Sequence, residues 1–150
     1  MIHIFSFGIW KLKNLNSFLE REEAVYGPLC LYSFKSRKGD MVAGWGHKKR
    51  ARRARNFAKK NSLLYMALED GFLRSVALGC EGARPLSLSV DHLGVYYDAT
   101  GPSQLEEWLN DWESWMTPEL EERARHAVRR LRLYDLSKYN NASSFTTDDE

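Results

Sequence analysis

Apolar positions along the chain come in short runs separated by polar, turn-forming clusters. Ile2-His3-Ile4-Phe5 alternates at period two and soon meets Gly8, which predicts a first strand entering a turn. Leu15, Phe18 and Leu19 recur at helical spacing and predict a short helix reaching about Glu23, closed by Gly27-Pro28. The apolar runs at 29–34 and 41–45 flank a polar turn, and both read as buried strands. From about 48 to 60, Ala51, Ala54, Phe57 and Ala58 share one stripe among cations, which predicts a helix docked through small residues with its charges in water. The next apolar run, 63–68, delivers Glu69-Asp70-Gly71 at its end. Strand, helix and strand joined by short connections make a βαβ unit. The expected fold class is therefore α/β with a mainly parallel sheet, whose strand ends collect ligand-binding residues.

Runs at 86–90 and 95–97 flank Asp91-His92-Leu93-Gly94 and predict a small antiparallel β-hairpin. Pro102-Ser103-Gln104-Leu105-Glu106 opens as a capping box. Leu105, Trp108, Leu109, Trp112, Trp115 and Met116 then predict one helix with a broad apolar face, read as core or, if left uncovered, as an interface. Thr117-Pro118-Glu119 starts a second helix, with Leu120, Ala124, Ala127, Val128 and Leu131 as its stripe. Beyond Tyr134 the sequence turns polar. The expected organisation is one α/β domain over 1–136 and a polar tail over 137–150 that reads as an interruption.

Composition agrees with one packed domain: 150 residues, 43% hydrophobic and 28% charged. No apolar stretch approaches the ~20 residues of a membrane span, and the first residues lack the features of a signal peptide, so a cytoplasmic location is expected. Cys30 and Cys80 form no zinc or redox spacing, and His3, His47, His92 and His126 share no metal spacing. No metal or cofactor is assigned. The net charge of +2 hides an uneven distribution, because residues 47–60 hold eight Lys or Arg and no acid. Such a stretch attracts phosphates, anionic lipid heads or acidic sugars, over roughly 8 Å at physiological salt. No aromatic platform interleaves with the cations, which argues against nucleic acid.

Two constellations could carry chemistry. In Leu68-Glu69-Asp70-Gly71-Phe72-Leu73-Arg74-Ser75, paired carboxylates leave a buried strand beside a glycine and an arginine. A carboxylate at a partly desolvated strand end can act as acid or base, and the arginine can hold an anion; the plainer alternative is a turn cap and an ion pair. In Gly44-Trp45-Gly46-His47 the glycines let backbone N–H groups approach an anion at the start of the basic helix, although a simple strand-to-helix turn explains them equally.

Several ordered motifs together carry a family resemblance: Ile4-Phe5-Ser6-Phe7-Gly8-Ile9-Trp10, Gly44-Trp45-Gly46, residues 68–75, Leu78-Gly79, Pro85-Leu86-Ser87-Leu88, Gly94-Val95-Tyr96-Tyr97-Asp98-Ala99 and Pro102-Ser103. Over about residues 2–140 the chain resembles the capsule polysaccharide β-Kdo transferases of the KpsC and LipA kind. The resemblance implies a retaining, GT-B-type glycosyltransferase of two Rossmann-like halves. Such an enzyme moves Kdo from CMP-Kdo, its donor substrate, to a lipid-linked glycan acceptor at the cytoplasmic face of the inner membrane, where the basic segment at 47–60 is expected to contact anionic lipid peripherally. It implies that Glu69 handles a proton and that Gly44, Trp45, Gly46, Asp70, Arg74 and Ser75 shape the acceptor side. Asp91-His92 departs from the family's usual Asp-Asp. The nucleophilic aspartate and the nucleotide-gripping half are expected after the Ser-Lys-Tyr-Asn segment at 137–140, so the chain is expected to be an N-terminal half that needs a C-terminal half and is inactive alone. The competing expectation is a non-catalytic module whose helix at 48–60 binds anions or a membrane surface.

Overall fold

The structure is a computed structural model that describes residues 1–19, 23–30, 35, 37–75 and 83–136. Its framework is a five-stranded sheet in the order β2-β1-β3-β4-β5. The strands are β1 (Ile2–Ile4), β2 (Ala24–Tyr26), β3 (Met41–Trp45), β4 (Leu64–Asp70) and β5 (Leu88–Asp91). β1 pairs in parallel with β2 and β3, β3 pairs in parallel with β4, and β5 closes the sheet antiparallel to β4. This is the expected α/β, mainly parallel, Rossmann-like half.

Helices cover both faces. Between β1 and β2 lie α1 (Phe7–Trp10) and α2 (Leu15–Leu19); between β3 and β4 lie a 3-10 turn (Lys49–Ala51) and α3 (Arg52–Lys60). The first pair packs Ile9, Leu15 and Leu19 against Ile2, Ile4, Met41, Ala43, Met66 and Leu68. On the opposite face Ala54 and Ala58 of α3 meet Val42, with Phe5, Phe57, Leu63 and Tyr65 around them. The small residues predicted to dock the basic helix do so, and Ala51 is buried with them. The winding thus runs outward in both directions from β1 and β3, leaving a crevice where those two strands end.

Four expectations need correction. Gly8 does not lie in a turn but inside α1, whose N-cap Ser6 accepts a hydrogen bond from the Ile9 N–H. Of the strand expected at 29–34, Leu29 and Cys30 belong instead to a 3-10 turn (Gly27–Cys30) and residues 31–34 lie outside the described residues, while an unexpected strand, β2, forms just before the turn. Pro28, with no N–H to give, cannot extend a ladder, whereas Val25 and Tyr26 suit one. The hairpin is absent among the described residues, since 95–97 form a turn and β5 pairs with β4 instead. Asp91 explains this, because its carboxylate accepts from the N–H groups of Leu93, Gly94 and Gln104 and bends the chain away.

The last correction concerns the aromatic helix. The capping Ser103 starts α4 (Gln104–Asn110) as predicted, but Asp111 interrupts the helix before α5 (Trp112–Trp115), and α6 (Pro118–Leu133) follows from the Thr117 cap. None of the three buries a residue, and Trp108 and Trp112 are about half exposed, at 53% and 50%. The tryptophan face is not core. The Leu78-Gly79 motif, the 137–140 segment and the polar tail lie outside the described residues.

Candidate functional site

Successive residues of a strand point to opposite faces. Glu69 and Asp70, adjacent at the end of β4, therefore serve two different environments at one edge of the sheet. Both still lie in the ladder, Glu69 opposite Ser89 and Asp70 opposite Leu88, rather than in a loop leaving it.

On the α1 and α2 face the strand ends open onto a cavity of about 960 Å³. Its described lining comprises Phe5 to Ile9 and Leu12 after β1, Trp45 and Lys48 to Ala51 after β3, and Arg74 with Ala83 to Pro85. Five of these residues, Lys48, Lys49, Arg50, Arg74 and Arg84, are cations, and none is acidic. Arg74 is tied down by the protein: Nε donates to Asp70 Oδ1 at 2.5 Å, and Nη1 donates to Ser75 Oγ at 2.9 Å and to the Ala83 carbonyl at 3.1 Å. That bracing couples the end of β4 and the 71–75 loop to the cavity's far wall and leaves Nη2 without a partner among the described residues. Lys48, Lys49, Arg50 and Arg84 are exposed and make no ion pair among the described residues, so the cavity mouth carries an uncompensated positive field.

On the α3 face the arrangement is closed. Glu69 is buried, with 6% of its surface exposed, and its Oε1 accepts from the Tyr97 hydroxyl at 2.7 Å. That hydroxyl in turn accepts from the His47 backbone N–H at 3.2 Å. His47 Nδ1 lies 2.9 Å from Asp98 Oδ2, Arg55 Nη2 donates to the His47 carbonyl at 3.0 Å, and Tyr65 donates to the Gly46 carbonyl at 2.7 Å. A Cβ on Gly46 would stand 2.1 Å from the Tyr97 hydroxyl and 2.2 Å from Glu69 Oε1, and Gly46 has φ +51°. Gly44 is less tightly packed, with the Tyr65 hydroxyl 2.9 Å from where its Cβ would be. The two glycines are thus needed for close approach of side chains, which is more specific than a strand-to-helix turn.

Charge follows this geometry. Burial, and then the hydrogen bond to Glu69, push the Tyr97 phenol up to about 12. Burial likewise raises Tyr65. Asp98 is held down to about 2, first by the Thr100 hydroxyl and then by His47. Lys48, at the cavity mouth, has its Nζ 5.6 Å from the Tyr97 ring centre and so joins the two environments. Among the described residues no group of three or more His, Cys, Asp or Glu is arranged to hold a metal ion.

Of the residues singled out from sequence, Trp45, Asp70, Arg74 and Ser75 gather on the cavity side, while Gly44, Gly46 and Glu69 gather on the α3 side. Sequence reasoning missed Tyr97, His47 and Asp98 as partners and Arg84 as a wall. The two-residue period of β4 was a signal that Glu69 and Asp70 part ways; nothing local announced Tyr97, which lies beyond an irregular turn.

The family model described as "Capsule polysaccharide biosynthesis protein" matches residues 40–148. The "Capsule polysaccharide modification protein LipA" of Neisseria meningitidis serogroup A is 37% identical over 147 residues, covering 97% of this chain and 20% of that relative. Among solved structures, the Thermosulfurimonas dismutans KpsC β-Kdo 2,4 transferase is 46% identical with a TM-score of 0.79, covering 98% of this chain and 44% of that one. The β-Kdo 2,7 transferase of the same KpsC is 32% identical with a TM-score of 0.58, covering 89% and 43%. The chain thus spans about a fifth of the LipA relative and less than half of either transferase. With the sheet, the glycine turn and the Glu-Asp-Gly strand end in place, the chain belongs to the capsule polysaccharide biosynthesis protein family, in its KpsC and LipA-like branch.

Proposed function

We propose that the chain forms the acceptor-side half of a retaining β-Kdo transferase of GT-B type, which takes Kdo from CMP-Kdo and adds it to a lipid-linked glycan. The observation that carries this is the cation-walled cavity between the ends of β1 and β3, where the winding direction reverses. An acidic sugar presents a carboxylate to that field, with Trp45 and Phe7 as apolar walls. In this reading Trp45, Arg74, Asp70 at the end of β4 and Ser75 shape the acceptor, and Glu69, seated by the Gly44 to Gly46 turn, takes or returns the acceptor's proton. Residues 1–136 act as this half, 137–150 as a tail, and a second α/β half supplies the nucleotide grip and the nucleophile. The setting is the cytoplasmic face of the inner membrane.

Titration of the chain with a Kdo-terminated oligosaccharide, followed by amide NMR, tests the reading. Shifts are expected around 45–50, 74 and 84, and a neutral sugar of the same size should bind at least tenfold more weakly. Equal binding of both sugars would refute it. Turnover of CMP-Kdo is expected only when a second half is supplied, and turnover by the isolated chain would refute the division of labour.

A second reading has its own observation. Arg52, Arg53, Lys59 and Lys60 stand exposed on the outer face of α3, which suits a module that rests on anionic lipid without inserting. Salt-sensitive sedimentation with phosphatidylglycerol vesicles, lost on reversing Arg52, Arg53 and Lys59 while sugar binding is absent, would favour it.

A further inference from the structure

We infer that Tyr97 is a positioning residue for Glu69: its hydroxyl, fixed by the His47 backbone N–H, holds one carboxylate oxygen so that the other is presented at the strand end. The inference rests on the proposed role of Glu69 and adds a residue to it.

The carboxylate is asymmetric. Oε1 accepts the Tyr97 hydroxyl at 2.7 Å. Oε2 makes no hydrogen bond among the described residues, yet it is not one of the fully buried side-chain atoms left without a partner. A side chain that is 94% buried therefore keeps one oxygen within reach of solvent or ligand. A free carboxylate would rotate and exchange its two oxygens. Here the exchange is opposed by an O–H donor on one side and by the absence of a Gly46 side chain, which makes room for the bonded oxygen alone.

Tyr97 can do this because it is itself held. Its oxygen has one hydrogen to give and accepts the N–H of His47, so the proton points toward Glu69. The neighbouring His47–Asp98 pair ties the same two segments together a second time. The ring also carries Lys48 over one face at 5.6 Å, which links it to the cavity where an acceptor would enter. Tyr96, next in sequence, turns instead toward Phe72. The pair Tyr96 and Tyr97 is thus an internal control, since only one of the two phenols touches the carboxylate.

The test uses the 150-residue chain labelled with carboxyl-13C glutamate. The Glu69 resonance is identified by its loss in Glu69→Gln. It is expected to move in Tyr97→Phe and to stay in Tyr96→Phe, with amide spectra otherwise alike. In the unmodified chain the same resonance should show a deuterium isotope shift between H2O and D2O, a readout that does not depend on the Tyr97 variant. An unmoved resonance in Tyr97→Phe, or no isotope shift, overturns the inference.

The second arm measures affinity for a Kdo-terminated oligosaccharide. Glu69→Gln and Tyr97→Phe are each expected to weaken it about tenfold, and the double variant no further, because both act through one group. Multiplication to about a hundredfold would mean independent roles and overturns it. If the oligosaccharide does not bind the unmodified chain, the proposed function fails while the 13C experiment still decides the place of Tyr97.

Discussion

At their shared edge the two faces of the sheet solve the problem of charge in opposite ways. The cavity face keeps its cations wet: Lys48, Lys49, Arg50 and Arg84 are exposed, repel one another through water, and cost little to leave unpaired. The α3 face buries Glu69 and must satisfy it, because an unpaired buried carboxylate is expensive; Tyr97, seated on the His47 N–H, meets that need. The same strands feed both arrangements, with Trp45 on one side and Gly44 and Gly46 on the other. The pleat alone separates an exposed cationic surface from a buried, hydrogen-bonded carboxylate. The open side should accordingly tolerate substitution without loss of stability, whereas the closed side should resist it.

The largest effect is expected at Gly46. Alanine there puts a methyl about 2 Å from two oxygens, at 2.1 and 2.2 Å, and forces an L-residue to φ +51°. Loss of about 2–4 kcal/mol of unfolding free energy follows from the two penalties together. Denaturant unfolding measures it, and a change under 1 kcal/mol would mean that the closed side is looser than described. On the open side, Lys49→Glu and Arg84→Glu should each lower affinity for an acidic sugar by roughly tenfold while moving stability by no more than ~0.5 kcal/mol. A drop in stability as large as that of Gly46→Ala would erase the distinction.

Much of this framework was legible from the chain. The apolar runs of β1, β3 and β4 and the alanine stripe of α3 appear where period and composition put them, because each depends on its own residues and one buried face. The failures share a cause in long-range contacts. Asp91 captures three backbone N–H groups, one of them Gln104 from thirteen residues on, and so abolishes a hairpin that Gly94 advertised. Trp108, Trp112 and Trp115 have the spacing of core residues, but spacing cannot say whether anything lies opposite, and among the described residues nothing buries them. The candidate site was half legible. Glu69 and the glycine turn were singled out from their local motifs, and the structure brings them side by side, but Tyr97 reaches Glu69 across 28 residues through an irregular segment that no periodicity marks.

The closed side also makes a pH prediction. The Tyr97 phenol is raised to about 12 by burial and then by Glu69, so its protonated form is favoured by the fold. It should contribute stability that is fully present below about pH 10, the usual phenol value, and lost as pH rises from there toward 12. Alkaline difference absorbance of the chain against Tyr97→Phe isolates this titration. Glu69→Gln should bring it back toward lower pH, since the negative neighbour is gone. An unchanged midpoint would leave burial as the whole cause and remove the carboxylate from the account.

The smallest effect sharpens the comparison most, because it repeats one substitution on the other face. Gly8 lies within α1 and lines the cavity, and a Cβ added there meets nothing within 4 Å. Its φ is not among the positive values, so alanine adopts the native backbone and removes freedom only from the unfolded chain. Gly8→Ala should therefore stabilise by about 0.4–1 kcal/mol, opposite in sign to Gly46→Ala. Affinity is the second readout. If an acceptor sugar packs against the α1 end of the cavity, the added methyl takes space the ligand needs, and binding weakens although the protein is more stable. If stability falls with affinity, the cavity is not open at Gly8, and the contrast between the two faces does not hold there.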